Sequence, residues 1–312
     1  MNWKRLILGN KNNKLLYYIK SISSLFVPSI FYRTCLESKK RRPCPIDDEI
    51  LRSRVNYYNK LDRMTLLSPN SIAIKDYKMP AKIRVYFLDS IYYLKHFDSN
   101  LRFRILPGDV IDIPVEPTLV KSRPISDNNE NSVILKLDKS RHFNFIKDET
   151  LFRDKKNMLV GRSGFYQEHR ARFYELYNEH PLCDLKKATK KSDVGYLSIA
   201  AHLDYKFILA LEGNDVATNL KWIMSSNSIA VMPKPKYETW FMEGKLIPDK
   251  HYICIAEDFS DLEQKLVYYI EHPEKAEEII ENAHIYIKQF KNEDIEHQIS
   301  LLVLEKYFNL TN

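Results

Sequence analysis

The chain has 312 residues, 44% of them hydrophobic and 29% charged, a balance typical of soluble globular proteins and a length sufficient for two domains. Only seven residues are glycine, and neither GxGxxG nor GxxxxGK[ST] occurs, which disfavours a function built on a glycine-rich phosphate loop. The net charge of +7 is uneven, because residues 1–45 hold ten lysines and arginines against one acid, and the remainder therefore carries −2.

The stretch of residues 1–45 combines its charges with apolar and aromatic residues such as Leu15, Ile19, Phe26 and Phe31. A basic amphipathic segment is typical of helices at an anionic membrane surface, which we expect as a partner. The alternative is a solvated charge run on helices that pack against the body. Since the body has no second basic stripe, we expect no nucleic-acid partner. The basic residues of this stretch are Lys4, Arg5, Lys11, Lys14, Lys20, Arg33, Lys39, Lys40, Arg41 and Arg42.

Cysteine usage and hydropathy indicate the compartment. Cys35, Cys44, Cys183 and Cys254 form no CxxC pair and have no metal-ligand spacing with histidine, which favours a reducing compartment. No apolar run reaches transmembrane length, and the N-terminus lacks an apolar region followed by a small-residue cleavage site. We therefore expect a cytoplasmic protein that is peripheral at the inner face of the cytoplasmic membrane.

Between residues 46 and 155 the patterns predict a small α/β domain. Ile50, Val55 and Tyr58 belong to a three- and four-residue repeat that predicts a helix over 46–64. The stretch 107–132 holds four prolines, which predict loops around one short strand. Strands are predicted at 83–88 (IRVYFL), 101–106 (LRFRIL) and 133–137 (VILKL).

From residue 157 onward the pattern changes to strands that alternate with helices. Such alternation predicts parallel β-α units, whose ligands bind where the strands end. The loops after Gly161, Gly213 and Pro233 should therefore share one edge of the sheet. The predicted strands are 157–161, 207–213, 228–233 and 251–256, and the predicted helices are 166–179, 215–226, 237–242, 258–271, 273–290 and 292–308.

Three charged residues are candidates for chemistry. A guanidinium at Arg162 can hold a phosphate, although a surface ion pair is the commoner role for such an arginine. Lys221, two turns into the helix predicted after Gly213, can reach the sheet edge or remain a solvated lysine. Asp109 follows the strand LRFRIL and can act as a general base, although aspartate is also an ordinary turn residue.

The segment LEGNDVATNLKW (211–222) predicts an anion site, because a strand, a glycine and a helix start follow one another. His202 and His251 are candidate proton donors, or structural hydrogen-bonding residues. Trp222 and Trp240 can stack on a base or a sugar, or serve as core anchors. No DxD motif occurs, so the sequence gives no reason to expect a metal or any other cofactor.

The second half of the chain resembles glycosyltransferase family 90. The resemblance rests on residues 204–233, on YETWF (237–241), on LIPDKHYICI (246–255) and on 258–283. Upstream, GRSGFYQEHRARF (161–173) resembles the arginine-bearing strand end of the family, with Arg162 in the arginine position. LRFRILPGDV (101–110) resembles the strand that ends at the family's proposed catalytic aspartate, with Asp109 there.

The resemblance implies a GT-B architecture, in which two Rossmann-like domains face each other across a cleft. The implied domains are a basic helical segment at 1–45, an acceptor-side α/β domain at 46–155, a donor-binding Rossmann-like domain at 156–290 and a C-terminal helix at 291–312. A UDP-sugar donor would bind without a metal, and Asp109 would be the catalytic base, with Asp112 as its rival. The implied donor-binding residues are Arg162, Gly213, Asn214, Asn219, Lys221, His251 and Tyr252, and the acceptor-side candidates are Lys121 and Arg123.

The sequence departs from the family pattern at two places. Asn219-Leu220-Lys221 stands where many members have Arg-x-Lys, and Arg162-Ser163 stands where they have Arg-Gly. The first 80 residues match only the bacterial lipopolysaccharide-modifying branch. We therefore expect a UDP-sugar-dependent hexosyltransferase whose acceptor is lipopolysaccharide core or a related glycolipid. The alternatives are a transferase acting on a capsular or other surface polysaccharide, and a non-catalytic membrane-associated scaffold of the same fold.

Overall fold

The structure is a computed structural model that describes residues 14–40 and 46–312. Of Lys14 and residues 35–40 it describes the backbone alone. Among the cysteines, Cys183 and Cys254 are described with their side chains, and both are free thiols. The basic residues that lie outside this description are Lys4, Arg5, Lys11, Arg41, Arg42 and the side chains of Lys14, Lys39 and Lys40. Within the described ranges, no helix combines the length and the apolar character needed to cross a membrane.

Helices and short strands alternate along the described chain. The helices are Lys14–Leu25 (α1), Ser29–Lys40 (α2), Asp48–Tyr58 (α3), Arg84–Leu94 (α4), Lys139–His142 (α5), Glu168–Tyr177 (α6), Ile199–His202 (α7), Leu220–Ile223 (α8), Leu262–Glu271 (α9), Pro273–Lys288 (α10) and Glu293–Thr311 (α11). The strands are Ile72–Ala73 (β1), Arg102–Phe103 (β2), Ile105–Leu106 (β3), Thr118–Val120 (β4), Ser122–Pro124 (β5), Ser132–Ile134 (β6), Lys156–Ser163 (β7), Cys183–Lys187 (β8), Tyr205–Leu209 (β9), Ile229–Met232 (β10), Tyr237–Thr239 (β11) and Ile253–Cys254 (β12).

The chain divides into two compact units. The five-stranded unit comprises His142–Pro235 and Glu243–Gln289. The mixed unit comprises the described residues of Asn12–Arg141 together with Lys236–Met242 and Phe290–Asn312. The domain boundaries predicted at 45, 155 and 290, and the cleft predicted between two domains, stay predictions.

The five-stranded unit is built on a parallel sheet with the strand order β12-β10-β9-β7-β8. In its register, Leu159 lies opposite Phe207, and Val231 lies opposite Ile253. Every residue of β9 and β10 is buried, as strands inside a parallel sheet that is covered on both faces are expected to be. The core between the sheet and the helices includes Phe173 and Leu266. The predicted alternation of parallel strands with helices is therefore confirmed in this half of the chain.

The mixed unit contains a smaller parallel sheet with the order β3-β4-β6, in which Leu119 lies between Ile105 and Val133. The antiparallel pairs β1-β2 and β5-β11 add to it. The strand predicted at 133–137 is confirmed as β6. The alternating run at 101–106 forms the two short strands β2 and β3 in place of a single strand.

Three predicted elements are wrong. Residues 84–88 form the first part of helix α4, because apolar residues recur on both sides of Asp89 and Ser90 as far as Leu94, and a short apolar run does not distinguish a buried helix from a buried strand. Residues 237–242 contain strand β11, in which Tyr237 and Thr239 pair with β5. The helix predicted over 215–226 shrinks to the single turn α8, and the side chain of Asn219 before it donates to the carbonyl of Leu209 in place of capping the helix.

A buried carboxylate joins distant segments of the mixed unit. Glu296 on α11 contacts Nη1 of Arg54 at 2.6 Å and Nζ of Lys136 at 3.0 Å. Nε1 of Trp240 also donates to Glu296, at 2.6 Å. Helices α3 and α11, the segment after β6 and the segment after β11 thus share one buried charge cluster.

We expect Glu296→Gln to lower the free energy of unfolding by about 3–5 kcal/mol, because Arg54 and Lys136 would remain buried without a carboxylate. Urea unfolding followed by circular dichroism measures the change. The control is Glu281→Gln on the exposed side of α10, which should change stability by less than about 0.5 kcal/mol. Equal effects of the two substitutions would contradict the assignment of Glu296 as a structural centre.

Candidate active site

The strand ends of β7, β9 and β10 lie at one edge of the five-stranded sheet, because these strands are parallel neighbours. Arg162 lies at the end of β7, and Gly213 and Asn214 follow the end of β9. The loops predicted to share an edge therefore do so. This edge is where parallel α/β sheets bind their ligands.

Arg162 is engaged by its own unit. Its Nε donates to the carbonyl of Gly195 at 2.6 Å, and its Nη1 donates to the carbonyls of Gly161 at 2.9 Å and Asp184 at 2.6 Å. Nη2 donates to Oδ1 of Asp184 at 2.7 Å. Burial acts to raise the pKa of Asp184, but hydrogen bonds from Tyr205 and Arg162 outweigh it and leave the pKa below its ordinary value. Arg162 thus ties β7 to β8 and to the loop after β8.

Lys221 and Asn219 stabilise the segment after β9. The ammonium of Lys221 forms a salt bridge with Glu243, and the two side chains are 0% and 1% exposed. Nδ2 of Asn219 donates to the carbonyl of Leu209 at 2.9 Å, which fixes the turn against the end of β9. The positive charge of Lys221 is therefore balanced inside the unit.

His251 and Tyr252 lie before β12. Nδ1 of His251 accepts a hydrogen bond from the backbone N–H of Ile247 at 2.9 Å, and its ring lies 5.1 Å from that of Tyr286. Burial lowers the pKa of His251, with Lys250 acting in the same direction. Tyr252 is fully buried, and burial raises its pKa. These contacts order the approach to β12.

Arg170, in the first turn of α6, was not singled out from the sequence. Its Nε donates to the carbonyl of Glu212 and its Nη2 to that of Leu211, both at 2.8 Å. In the described part of the chain these backbone oxygens are its hydrogen-bond partners, with no carboxylate among them. Burial lowers the pKa of Arg170, and Tyr174 opposes that shift. A cation beside the positive end of a helix is unfavourable until an anion joins it.

The neighbours of Arg170 complete a polar edge. Nε2 of Gln167 donates to Oδ1 of Asn214 at 2.8 Å, and Nε2 of His169 lies 2.9 Å from the carbonyl of Glu212. Oε1 of Gln167 is buried, and the described residues offer it no donor. A Cβ at Gly213 would lie 3.4 Å from Nη2 of Arg170, an ordinary van der Waals distance, so this position borders the guanidinium.

The helix pattern could have identified Arg170. It lies three residues after Gln167, the N-cap residue of α6, and therefore in the first turn of the helix, at the end nearest the strand edge. Arg172, two residues further on, is exposed and pairs with Glu175 on the same helix at 3.2 Å. Residues two apart point in different directions on a helix, which distinguishes these two arginines.

The predicted base Asp109 lies in the mixed unit, beside the predicted acceptor-side residue Lys121. Nζ of Lys121 donates to Oδ1 of Asp109 at 2.6 Å, and the two side chains are 2% and 32% exposed. Gly108 has a φ of +104°, a value that glycine adopts without strain, and so it allows the turn that presents Asp109. A buried ammonium thus holds an accessible carboxylate. Asp112 is exposed, three residues further on.

Further ionisable groups surround this pair. Burial raises the pKa of Tyr86 to about 12, and Lys121 acts to lower it. Burial also raises the pKa of Asp138 to about 6, against the positive charges of Arg141 and Lys121. The mixed unit therefore brings two carboxyl groups, Asp109 and Asp138, under the influence of one buried lysine.

Arg123, the second acceptor-side candidate, is buried elsewhere in the mixed unit. Its Nε donates to Oε1 of Glu238 at 2.8 Å, and its Nη2 donates to the carbonyl of Tyr57 at 2.6 Å. Nη1 donates to the carbonyl of Ser132 at 2.9 Å. These contacts link β5 to β11, β6 and α3, so Arg123 holds elements of the mixed unit together. Over the residues described, no group of three histidine, cysteine or acidic side chains is placed to hold a metal ion.

Two comparisons with known proteins bear on these sites. The sequence model of glycosyl transferase family 90 matches residues 142–312, more than half of the chain. Over 307 residues, the chain is 41% identical to the protein named O-glucosyltransferase LpsA of Dichelobacter nodosus, with 96% of each chain covered. Arg162, Arg170 and Lys221 lie inside the family match, whereas Asp109 and Lys121 precede it.

We expect Asp138→Asn to change how stability depends on pH. A carboxyl group whose pKa rises from 3.8 to about 6 on folding favours the folded state at low pH and loses that contribution as the pH rises through 6. Between pH 4 and pH 7 the parent should lose about 2–3 kcal/mol more than the variant. Urea unfolding at both pH values measures the difference. Asp112→Asn should follow the parent, and identical profiles for all three proteins would contradict the prediction.

Proposed function

We propose, since this chain belongs to glycosyltransferase family 90, that it transfers glucose from UDP-glucose to a hydroxyl group of lipopolysaccharide core. The observation that carries the proposal is the 41% identity, along 96% of both chains, with a protein named as an O-glucosyltransferase. That name supports glucose as the sugar. The UDP carrier and the glycolipid acceptor rest on the resemblance to the bacterial branch of the family.

The five-stranded unit is proposed to bind the donor. Its polar edge offers one half-buried guanidinium, Arg170, beside the N-terminus of α6 and the backbone of Gly213. A diphosphate supplies the negative charge that balances this cation. Charge-assisted hydrogen bonds to phosphate are stronger than hydrogen bonds between neutral groups. Oε1 of Gln167 can accept a hydrogen bond from a sugar hydroxyl. An ionised phosphate cannot satisfy this atom, because its oxygens have no proton to donate.

Arg162 and Lys221, expected from the sequence as diphosphate ligands, have a different place in the proposal. Their charges already balance Asp184 and Glu243. We assign Arg162 to holding the loop after β8, and Lys221 and Asn219 to holding the turn after β9. Asn214 remains at the donor edge through its contact with Gln167, and His251 and Tyr252 order the segment before β12.

Asp109 is proposed as the base that makes the acceptor hydroxyl nucleophilic. In an inverting transfer, the hydroxyl oxygen forms the new bond to the anomeric carbon while the bond to the diphosphate breaks, and the carboxylate accepts the hydroxyl proton. Lys121 favours the ionised carboxylate through its contact at 2.6 Å. The negative charge on the leaving diphosphate is balanced by protein cations, and the proposal includes no metal ion.

The acceptor class bears on location. A lipopolysaccharide core is anchored in a membrane by its lipid, so the enzyme must work beside that surface. We therefore include in the proposal a peripheral position at the inner face of the cytoplasmic membrane. Arg123 contributes to the acceptor side only through the fold, since its guanidinium is buried against Glu238.

The transfer assay uses UDP-glucose labelled in the sugar and lipopolysaccharide isolated from a strain that lacks the gene. We expect label in the lipopolysaccharide, and we expect Asp109→Asn to lose on the order of 10²–10⁴-fold in turnover, because the amide cannot accept the proton. Binding of UDP should stay near the parental value. Labelling of a surface polysaccharide in place of lipopolysaccharide, or no transfer to any acceptor, would contradict the proposed function.

Asp112→Asn is the matched control for Asp109→Asn, because it makes the same change three residues away on an exposed side chain. It should turn over like the parent. Loss of turnover in Asp112→Asn alone would move the base to that residue. Normal turnover in both variants would rule out a base from this turn.

A second prediction concerns the donor diphosphate. Arg170→Met should weaken UDP binding by about 1.5–3 kcal/mol, the usual cost of a lost charged hydrogen bond, and should weaken uridine binding far less. Isothermal titration calorimetry measures both ligands. Arg162→Met should lower the thermal midpoint and leave UDP affinity near the parental value. If UDP affinity fell only in Arg162→Met or only in Lys221→Met, the substituted residue would be the diphosphate ligand in place of Arg170.

A further inference from the structure

Helices α1 and α2 and the turn between them expose several large apolar side chains. Leu15 and Ile19 are four residues apart and therefore lie on one side of α1. Leu16, Phe26 and Ile30 are 63%, 82% and 65% exposed. Isolated exposed apolar residues are ordinary, but six within seventeen residues of chain indicate an interaction surface. The N-terminal apolar face consists of Leu15, Leu16, Ile19, Phe26, Ile30 and Phe31.

Polar contacts fix the opposite side of these helices to the mixed unit. The hydroxyl of Tyr17 donates to Oδ1 of Asp89 at 2.8 Å. Nζ of Lys95 donates to the carbonyls of Ser24 at 3.0 Å and Leu25 at 2.8 Å, which satisfies the last turn of α1. A surface helix normally packs its apolar side inward, and α1 does the reverse. The outward apolar face therefore belongs to the folded arrangement of the mixed unit.

The charge of residues 1–45 indicates which kind of partner covers the N-terminal apolar face. Residues 1–45 carry ten basic residues and one acid, including the exposed Lys20 on α1. A second copy of the chain would bring two such basic stretches together, which like-charge repulsion opposes. An anionic surface with an apolar interior satisfies both the charge and the exposed side chains.

We propose that the N-terminal apolar face inserts into the interfacial layer of an anionic lipid bilayer. The leucine, isoleucine and phenylalanine side chains enter the boundary between headgroups and acyl chains, and the basic residues remain among the anionic headgroups. This inference stands on exposure and charge and does not depend on the proposed reaction. Its test contains neither nucleotide nor sugar acceptor, so it can fail while the proposed transfer holds.

The experiment is co-flotation of the full chain with vesicles of phosphatidylcholine, with or without phosphatidylglycerol. We expect binding to the vesicles that contain phosphatidylglycerol and a decrease with added salt, since salt screens the basic residues. The triple variant Leu16→Glu, Phe26→Glu, Ile30→Glu should reduce the bound fraction at equal lipid by roughly tenfold or more. Equal binding of the parent to both kinds of vesicle would overturn the proposal.

The matched control is the triple variant Leu66→Glu, Val115→Glu, Leu151→Glu. These residues are also apolar and highly exposed, and the variant changes the net charge by the same amount outside the N-terminal apolar face. This control variant should lose only the part of vesicle binding that depends on the net charge of the protein. Equal losses in the two triple variants would overturn the proposal, because general charge would then explain the binding. A dimer in light scattering that the first variant abolishes, without vesicle binding by the parent, would assign the face to a second copy.

If the triple variant fails to fold, the single substitution Phe26→Trp still tests whether this face enters the bilayer. Phe26→Trp retains an apolar side chain at the most exposed position of the face. Its fluorescence should shift to shorter wavelength with vesicles that contain phosphatidylglycerol, relative to the same titration of the parent. No shift at lipid concentrations that float the protein would place Phe26 outside the bilayer and overturn the proposal.

Discussion

The parallel sheet β12-β10-β9-β7-β8 must be covered on both faces, because every residue of its inner strands β9 and β10 is buried. Each strand must then return through a crossover, so the strand ends meet at one edge. That constraint brings the turn after β9 against the first turn of α6 and places Arg170 beside Gly213. The location of a donor site thus follows from the sheet, whereas its chemistry follows from a few side chains at the edge.

Charge balance decides which cations are available at such a site. Arg162, Lys221 and Arg123 each hold a carboxylate of their own unit, and Arg123 and Lys221 are entirely buried. A buried cation paired in this way is costly to separate from its partner, so it contributes to the fold. Within residues 14–40 and 46–312, Arg170 holds only carbonyl oxygens, which orient the guanidinium without supplying a negative charge. Of these four residues, Arg170 is therefore the best ligand for an added anion, because it makes the fewest ionic contacts.

Sequence patterns predicted the parallel half of the chain because its strands and helices differ clearly in period and length. They failed where several structures share one pattern. The run at 83–88 fits either a strand or a buried helix, and the pattern at 215–226 fits a long helix where the structure has the single turn α8. The position of Arg162 at a strand end was predictable, but its salt bridge with Asp184 was not, since the partner lies on another strand. Asp109 and Lys121 were both candidates, and only the structure joins them.

That pairing changes how the acid cluster of the mixed unit behaves. Lys121 is influenced by two carboxyl groups, of which Asp109 is accessible and Asp138 is buried. Because burial raises the pKa of Asp138 to about 6, this group is largely ionised at neutral pH and then shares the positive charge of the lysine. Below that pH, Asp138 takes up a proton and no longer competes for the charge of Lys121. The nearby carboxyl of Asp109 acts to raise the pKa of Asp138, whereas Lys121 acts to lower it. The buried lysine thus holds the accessible carboxylate in place and tempers the pKa of the buried one, so position and stability depend on the same side chain.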